Sequence, residues 1–235
     1  PGSFIYKDDS TGSQGIFRHF VGKALRAHKR GGFFWKDPTP SYKHSTVQYY
    51  LRELIAMADR VVAENAAPID VAIDIETGPN PANGATGLEP VWSKTRCVGF
   101  AYGQRTLIAP IHLITGEYVG SEVTKELIIK VVTHKGLNKI THNGAFDRPG
   151  LRKNFAEVTG PTGDTLNLHH ILESEIKPHS LSHVSALALE QATSWKGLHG
   201  GGDHGISETN NAALWLYCAI DCWRTLKTHE KLKEA

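Results

Sequence analysis

The alternating run Val71-Ala-Ile-Asp-Ile-Glu-Thr77 constrains this chain more than any other segment. Side chains two apart on a strand share a face. Val71, Ile73 and Ile75 then point one way, and Asp74 and Glu76 the other. Two carboxylates held side by side repel each other and resist desolvation. Such a strand either lies at an edge with its acidic face in water or delivers both groups to something cationic.

Two further segments raise the same question. From Asn211 the chain runs Ala-Ala-Leu-Trp-Leu-Tyr-Cys-Ala-Ile-Asp-Cys-Trp-Arg-Thr-Leu. This predicts a helix, apolar nearly all round and therefore buried, with Ser207 and Thr209 as capping hydroxyls. Tyr217 and Asp221 stand four apart and share a face. An ionised Asp there needs a counter-charge, either Arg224 three residues on or a metal. The remaining segment follows Leu137 to Ile140, a predicted strand. His142, Asn143, Phe146 and Asp147 cluster where that strand passes into a helix, a frequent site position in α/β folds. Asn143-Gly144 also suits a turn, and Asp147 an N-cap.

The constellation resembles the DEDD exonuclease superfamily in its tyrosine-bearing branch. It is most similar to the 3′–5′ proofreading domain of phage-like family A DNA polymerases. Asp74-x-Glu76 matches the first motif of that family, Asn143-x-x-Phe146-Asp147 the second and Tyr217-x-x-x-Asp221 the third. Asp164-Thr165, His179-Ser180-Leu181 and the wording Tyr-x-Ala-Ile-Asp-Cys around Asp221 extend the match, which runs from about Ile69 to the C-terminus. The histidine-bearing branch would place His where this chain has Leu216. Ribonuclease D-like enzymes share the motifs, so RNA 3′ trimming stays open, as does a catalytically idle nucleic-acid-binding module.

The resemblance implies a ribonuclease H-like α/β fold, a mixed sheet flanked by helices. It implies two Mg²⁺ or Mn²⁺ ions acting on the phosphodiester at a DNA single-stranded 3′ end, releasing mononucleotides. Asp74 would bridge the ions, Glu76 and Asp221 would complete one site, and Asp147 would hold the other, partly through water. Tyr217 and Glu76 would orient the attacking water. A phenol with a pKa of about 10 positions that water better than it deprotonates it. Asn143 and Phe146 would seat the terminal nucleotide, Thr77 would add a contact, and His142 would touch a phosphate. In the family a Thr-Gly-Leu-x-Pro run follows the first motif directly, its leucine wedged against the terminal bases. Here Thr86-Gly-Leu-Glu-Pro90 comes after an insert, Gly78 to Ala85, so Leu88 is the candidate wedge.

Composition sets outer bounds. With 235 residues and 40% hydrophobic content, the chain can bury a core, and no run approaches a membrane span. Three cysteines without framework spacing point to a reducing, intracellular setting, cytoplasmic, or the host cytoplasm for a phage protein. Cys218 and Cys222 read as core packing. His169-His170, His179/His183 and His199/His204 could be zinc ligands, but no partner is spaced to complete such a site. Residues 1–67 carry ten Lys/Arg against six Asp/Glu, leaving the remainder at −2 of an overall +2. That basic stretch suits nucleic-acid phosphates or a solvated helix face.

The expected layout is an N-terminal helical extension over 1–67 and the exonuclease domain over 68–235. Pro-Gly-Ser at the start resembles a tag scar, and a polymerase module would follow on the parent chain. Residues 1 to 15 read as loose apart from Phe4-Ile5-Tyr6. Helices are expected over Ile16–His28, with a stripe of Ile16, Phe17, Phe20, Val21 and Leu25, and over Ser45–Asn65. A hairpin turns at Gly103-Gln104. Further helices run over Ser121–Lys135, from Asp164 to Glu173 and from Ser180 to Glu190, Asp164 acting as a cap. The aromatic loop over residues 31–40, with Phe33, Phe34 and Trp35, reads as core packing. A mobile loop over Gln191–Ile206 brings Trp195 and Lys196 towards the substrate. Oligomeric state is not legible.

Overall fold

The computed structural model describes residues 11–29, 38–175, 177–189 and 210–234, with side chains from residue 20 onward. Among these residues five strands form one sheet: β1 (Ile69–Gly78), β2 (Lys94–Tyr102), β3 (Arg105–Pro110), β4 (Leu137–Thr141) and β5 (Thr162–Asp164). Their order is β3-β2-β1-β4-β5. β1 pairs antiparallel with β2 and parallel with β4, so the sheet is mixed, as expected. The β2–β3 hairpin turns at Gly103-Gln104, where Tyr102 faces Arg105 and Gly103 takes φ +54°. Glycine adopts that left-handed conformation without the Cβ clash most residues meet there. The parallel β4 requires a crossover, supplied by α3.

Among the described residues the sheet is accompanied by seven helices: α1 (Thr11–Lys29), α2 (His44–Ala63), α3 (Glu122–Thr133), α4 (Gly144–Asn154), α5 (Thr165–Leu172), α6 (Leu181–Ala188) and α7 (Asn211–Leu232). Strand alternation sorts the core into two layers. Val71, Ile73 and Ile75 of β1, with Val98 and Phe100 of β2, pack beneath α2 and α3 through Val47, Leu51, Leu54, Ala58, Ile128 and Val131. Ala72, Cys97, Ala101 and Ile140 face the other way, against Cys218, Ala219, Cys222 and Leu226 of α7. Asp74 and Glu76 have the parity of Ala72. The pleat alone therefore aims both carboxylates at α7.

Several expected boundaries move. α1 spans Thr11–Lys29 rather than Ile16–His28. Among its described side chains, which do not include those of Ile16 and Phe17, Lys23 and Ala27 are buried, Phe20 is half-buried, and Val21 and Leu25 are exposed. Lys23 Nζ donates to the carbonyls of Ala186 (2.5 Å) and Leu189 (2.8 Å) at the end of α6. Buried main-chain acceptors outbid the apolar stripe there, because an unpaired buried carbonyl is costly. Helix α6 stops at Ala188 and α3 at Thr133. Asn210 caps α7, its side chain accepting from Ala212 N at 2.8 Å, whereas Ser207 and Thr209 lie outside the described residues. So do Phe4-Ile5-Tyr6, Phe33, Phe34, Trp35, Trp195, Lys196, His199 and His204. Ser121 and Ser180 stand at N-caps without a side-chain capping bond; the Ser121 hydroxyl instead accepts from Gln48 Nε2 at 3.3 Å. The three-residue β5 was not anticipated, being too short to show a period. Among the described residues, no helix is long and apolar enough to cross a membrane.

Candidate active site

β1 carries Asp74 and Glu76 past the point where β4 stops pairing with it. The β1–β4 ladder covers Ile69 to Ala72 only. Beyond it, main-chain groups on that edge of β1 need other partners. Ile75 N finds one in the side chain of Asp147, donating to Oδ1 at 3.0 Å. Asp147 is 2% exposed and sits in the first turn of α4. Gly150 makes the approach possible: a Cβ there would lie 2.3 Å from Ile75 Cδ1. Asp147 is thus a strand-edge acceptor within the helix rather than an N-cap. The N-cap is Asn143, at φ 65° and ψ 50°. α4 also continues through Pro149, which lies beyond the first turn, at the cost of one helical hydrogen bond.

The start of α4 is tied down by Asp164. Its carboxylate accepts from Asn143 N (3.1 Å) and Gly144 N (2.7 Å), and from Leu166 N (3.0 Å) and Asn167 N (3.4 Å) at the start of α5. The expected cap of one helix is therefore a cap of two. Nothing in the local spacing announces the second role, because Asn143 and Asp164 meet only through the parallel β4–β5 pair.

α7 brings the remaining groups. Asp221 is nearly buried, and Tyr217 lies one turn earlier, partly exposed. One carboxylate oxygen each from Asp74, Glu76 and Asp221 come within 4.8 Å of one another. Asp74 Oδ2 is buried and has no hydrogen-bond donor among the described residues. Burial pushes the Asp74 carboxyl well above its ordinary range, and Glu76, Asp147 and Asp221 push it further. Glu76 is raised for the same leading reason, then by Cys97, Asp221 and Asp147. An acidic pocket that destabilises its own charges, with an orphaned oxygen, fits a hard divalent cation with oxygen ligands.

Asp147 is raised to about 7; burial dominates, the Ile75 and Asp147 amides oppose it, and Asp164 and Asp221 add to it. The unfolded carboxyl ionises near 3.8, so between that pH and about 7 the folded chain holds the extra proton. Stability contributed by this group is full below the lower value and falls as pH rises to the upper one, then levels off. Thermal melts in EDTA are expected to decline across this window, and Mg²⁺ to restore most stability at its alkaline end. Stability that climbs with pH in EDTA would contradict the assignment.

The other expected substrate contacts are placed as follows. Thr77 Oγ1 donates to Gly87 O at 2.5 Å, and Asn80 N to Ala85 O at 3.0 Å. The Gly78–Ala85 insert therefore bulges out and returns, setting the Thr86–Pro90 run back beside the end of β1. Leu88 is 64% exposed there. Trp92, not singled out from the sequence, is 61% exposed, and its carbonyl is held by the side chains of Asn80 (3.0 Å) and Asn83 (2.9 Å). An asparagine pair ahead of an aromatic was the available signal. His142 Nδ1 lies 2.8 Å from Thr165 Oγ1. Phe146 packs partly against the main core, and Asn143 is exposed. Among the histidines, His179 meets His169 (2.8 Å) and His170 (3.2 Å) ring to ring, but no three of these nitrogens come within 4.8 Å of one another.

Residues 50–235 match the family model described as 3′–5′ exonuclease. No curated protein sequence matches the chain. Among solved structures, NrnC from Brucella melitensis bound to pGG aligns with a TM-score of 0.55 at 19% identity, covering 71% of this chain and 72% of that one. NrnC with bound Mg²⁺ aligns at 0.51, again at 19% identity, covering 71% and 73%. The Nibbler EXO domain of Aedes aegypti gives 0.57 at 12% identity, over 83% and 86%. Escherichia coli RNase D, an exoribonuclease involved in structured RNA processing, gives 0.52 at 14% identity, over 85% of this chain but 45% of that one. At these identities the structures establish a shared fold, and the family match, covering most of the chain, establishes kinship: this protein belongs to the 3′–5′ exonuclease family of the DEDD superfamily.

Proposed function

We propose that this domain removes mononucleotides from the 3′ ends of single-stranded or frayed DNA, as the editing module of a longer polymerase chain acting in the cytoplasm. The observation that carries the catalytic part is the convergence of Asp74, Glu76 and Asp221 oxygens within 4.8 Å, with Asp147 secured beside them.

Asp74, Glu76 and Asp221 would hold one Mg²⁺ or Mn²⁺, and Asp74 with Asp147 a second. When bound, such a pair compensates charge developing at the scissile phosphate and makes a nearby water more acidic. The chain's own groups do the rest. Glu76 and Tyr217 orient the attacking water, Glu76 as acceptor and the Tyr217 hydroxyl as donor or acceptor. A phenol stays protonated near neutral pH, so Tyr217 acts by position. Asp147, fixed by the Ile75 amide, keeps its position without relying on a flexible loop. Leu88 and Trp92 offer apolar surface to terminal bases, while Asn143, Phe146, His142 and Thr77 line the approach to the 3′ end.

A second reading, RNA as the substrate, is favoured by the similarity to RNase D, described as an exoribonuclease. The test is a matched pair of 5′-labelled DNA and RNA single strands with Mg²⁺ or EDTA. We expect metal-dependent ladders shortening from the 3′ end, faster on DNA. Faster RNA shortening would favour the second reading. Retention of the strand without cleavage in Mg²⁺ or Mn²⁺ would leave only a binding module.

A further inference from the structure

All three cysteines of the chain gather behind the acidic pocket, and the catalytic reading uses none of them. Cys218 and Cys222, one turn apart on α7, and Cys97 on β2 are all free thiols and fully buried. Cys97 contacts Cys218, and Cys218 contacts Cys222. The Cys218 sulfur lies 4.0 Å from the main-chain carbonyl of Asp74. One Asp74 carboxylate oxygen and the sulfurs of Cys218 and Cys222 all come within 4.8 Å of one another.

The register explains why the sulfurs reach so far. Asp74 pairs with Gly99 across β1 and β2. A Cβ on Gly99 would lie 2.6 Å from both the Cys218 and the Cys222 sulfur. The missing side chain opposite Asp74 is therefore the space these thiols fill, and with it they gain access to the carboxylate. Any larger residue at 99 would push α7 back and separate the two.

We propose that Asp74, Cys218 and Cys222 form a second metal site, selective for a thiophilic divalent ion such as Zn²⁺ or Cd²⁺. Two thiolates and a carboxylate are a donor set that such ions favour and Mg²⁺ does not. A metal–sulfur bond of about 2.3 Å in a tetrahedral site sets sulfurs about 3.8 Å apart. The two sulfurs and the Asp74 oxygen already lie within 4.8 Å of one another. Each thiol that binds releases its proton to solvent, so uptake of one ion frees two protons from Cys218 and Cys222. Asp74 belongs to both sites and cannot serve both fully. A thiophilic ion therefore competes with the hard-ion site from within the core; this consequence, unlike the site itself, rests on the nuclease reading.

The test is a titration of the metal-free, reduced protein with Cd²⁺, following the ultraviolet thiolate-to-cadmium charge-transfer band and proton release in weak buffer. We expect a band saturating at one equivalent with at least two protons released. Cys218→Ser and Cys222→Ala should each weaken Cd²⁺ binding at least tenfold, and Asp74→Asn by a smaller factor. Circular dichroism melts identify any variant that fails to fold, and the two cysteine variants serve as independent checks. In the wild-type protein, Cd²⁺ or Zn²⁺ should suppress Mg²⁺-dependent cleavage, with the suppression relieved in Cys218→Ser. No charge-transfer band, or a band unchanged in both folded cysteine variants, would overturn the site. A normal band in a protein that cleaves neither DNA nor RNA would overturn the nuclease reading instead.

Discussion

Asp74→Asn is expected to lower Mg²⁺-dependent 3′ cleavage by about 10³-fold or more while making the metal-free protein more stable. Both effects come from one charge. Asp74 is central to the acidic pocket, where Glu76, Asp147 and Asp221 all act on its carboxyl. Charge compensation at a phosphoryl centre is worth several kcal/mol, and each ~1.4 kcal/mol is a factor of ten in rate. Without metal, the same carboxylate suffers burial and repulsion from three neighbours. Removing its charge should raise the melting temperature in EDTA by about 2–4 °C, the shift produced by roughly 1 kcal/mol in a chain of this size. Asparagine keeps the shape, so the fold should persist. Single-turnover cleavage and melts with and without Mg²⁺ read both effects. A variant that cleaves at the wild-type rate would remove Asp74 from the mechanism. One that melts lower in EDTA would show that its charge is satisfied by something other than a cation.

The second large effect is expected from Asp164→Ala, at a residue outside the acidic pocket. Its carboxylate serves the N-termini of α4 and α5 together, through the amides of Asn143, Gly144, Leu166 and Asn167. Losing one N-cap costs about 1 kcal/mol and up to about 2. Losing two at once should cost about 2–4 kcal/mol, a drop in melting temperature of roughly 5–12 °C. Activity should fall as well, since α4 carries Asp147 and the turn at Asn143 sets where that helix begins. Asp164→Asn retains Oδ1, which serves Asn143, Leu166 and Asn167, but loses the Oδ2 acceptor facing Gly144. Its destabilisation should be about half as large. A melting temperature within a degree of wild type for the alanine variant would mean that water replaces all four contacts.

These two residues mark the boundary between what could be read and what could not. The acidic strand was legible because a period of two is a local property. So was the Tyr217–Asp221 face, because residues four apart on a helix always share one side. Asp164 was legible as a cap from its place before an apolar stretch. Its bond to the start of α4 was not, because that depends on β4 and β5 lying parallel with Thr141 level with Asp164. In α1 the expectation for Val21 and Leu25, which are exposed, failed for a related reason. Lys23 reaches two carbonyls of α6, more than 160 residues away. No periodicity in α1 encodes where those carbonyls are.

The amino-acid sequence by itself determined the acidic face of β1, the buried helix presenting Tyr217 and Asp221, and the family to which this chain belongs. Only the tertiary structure decided how closely these parts approach, and it did so through atoms that are absent. Gly150 lets α4 close on Ile75, and Gly99 lets the α7 sulfurs reach Asp74. A side chain signals its chemistry in any sequence, but a missing one acquires meaning only from the neighbour that fills its space.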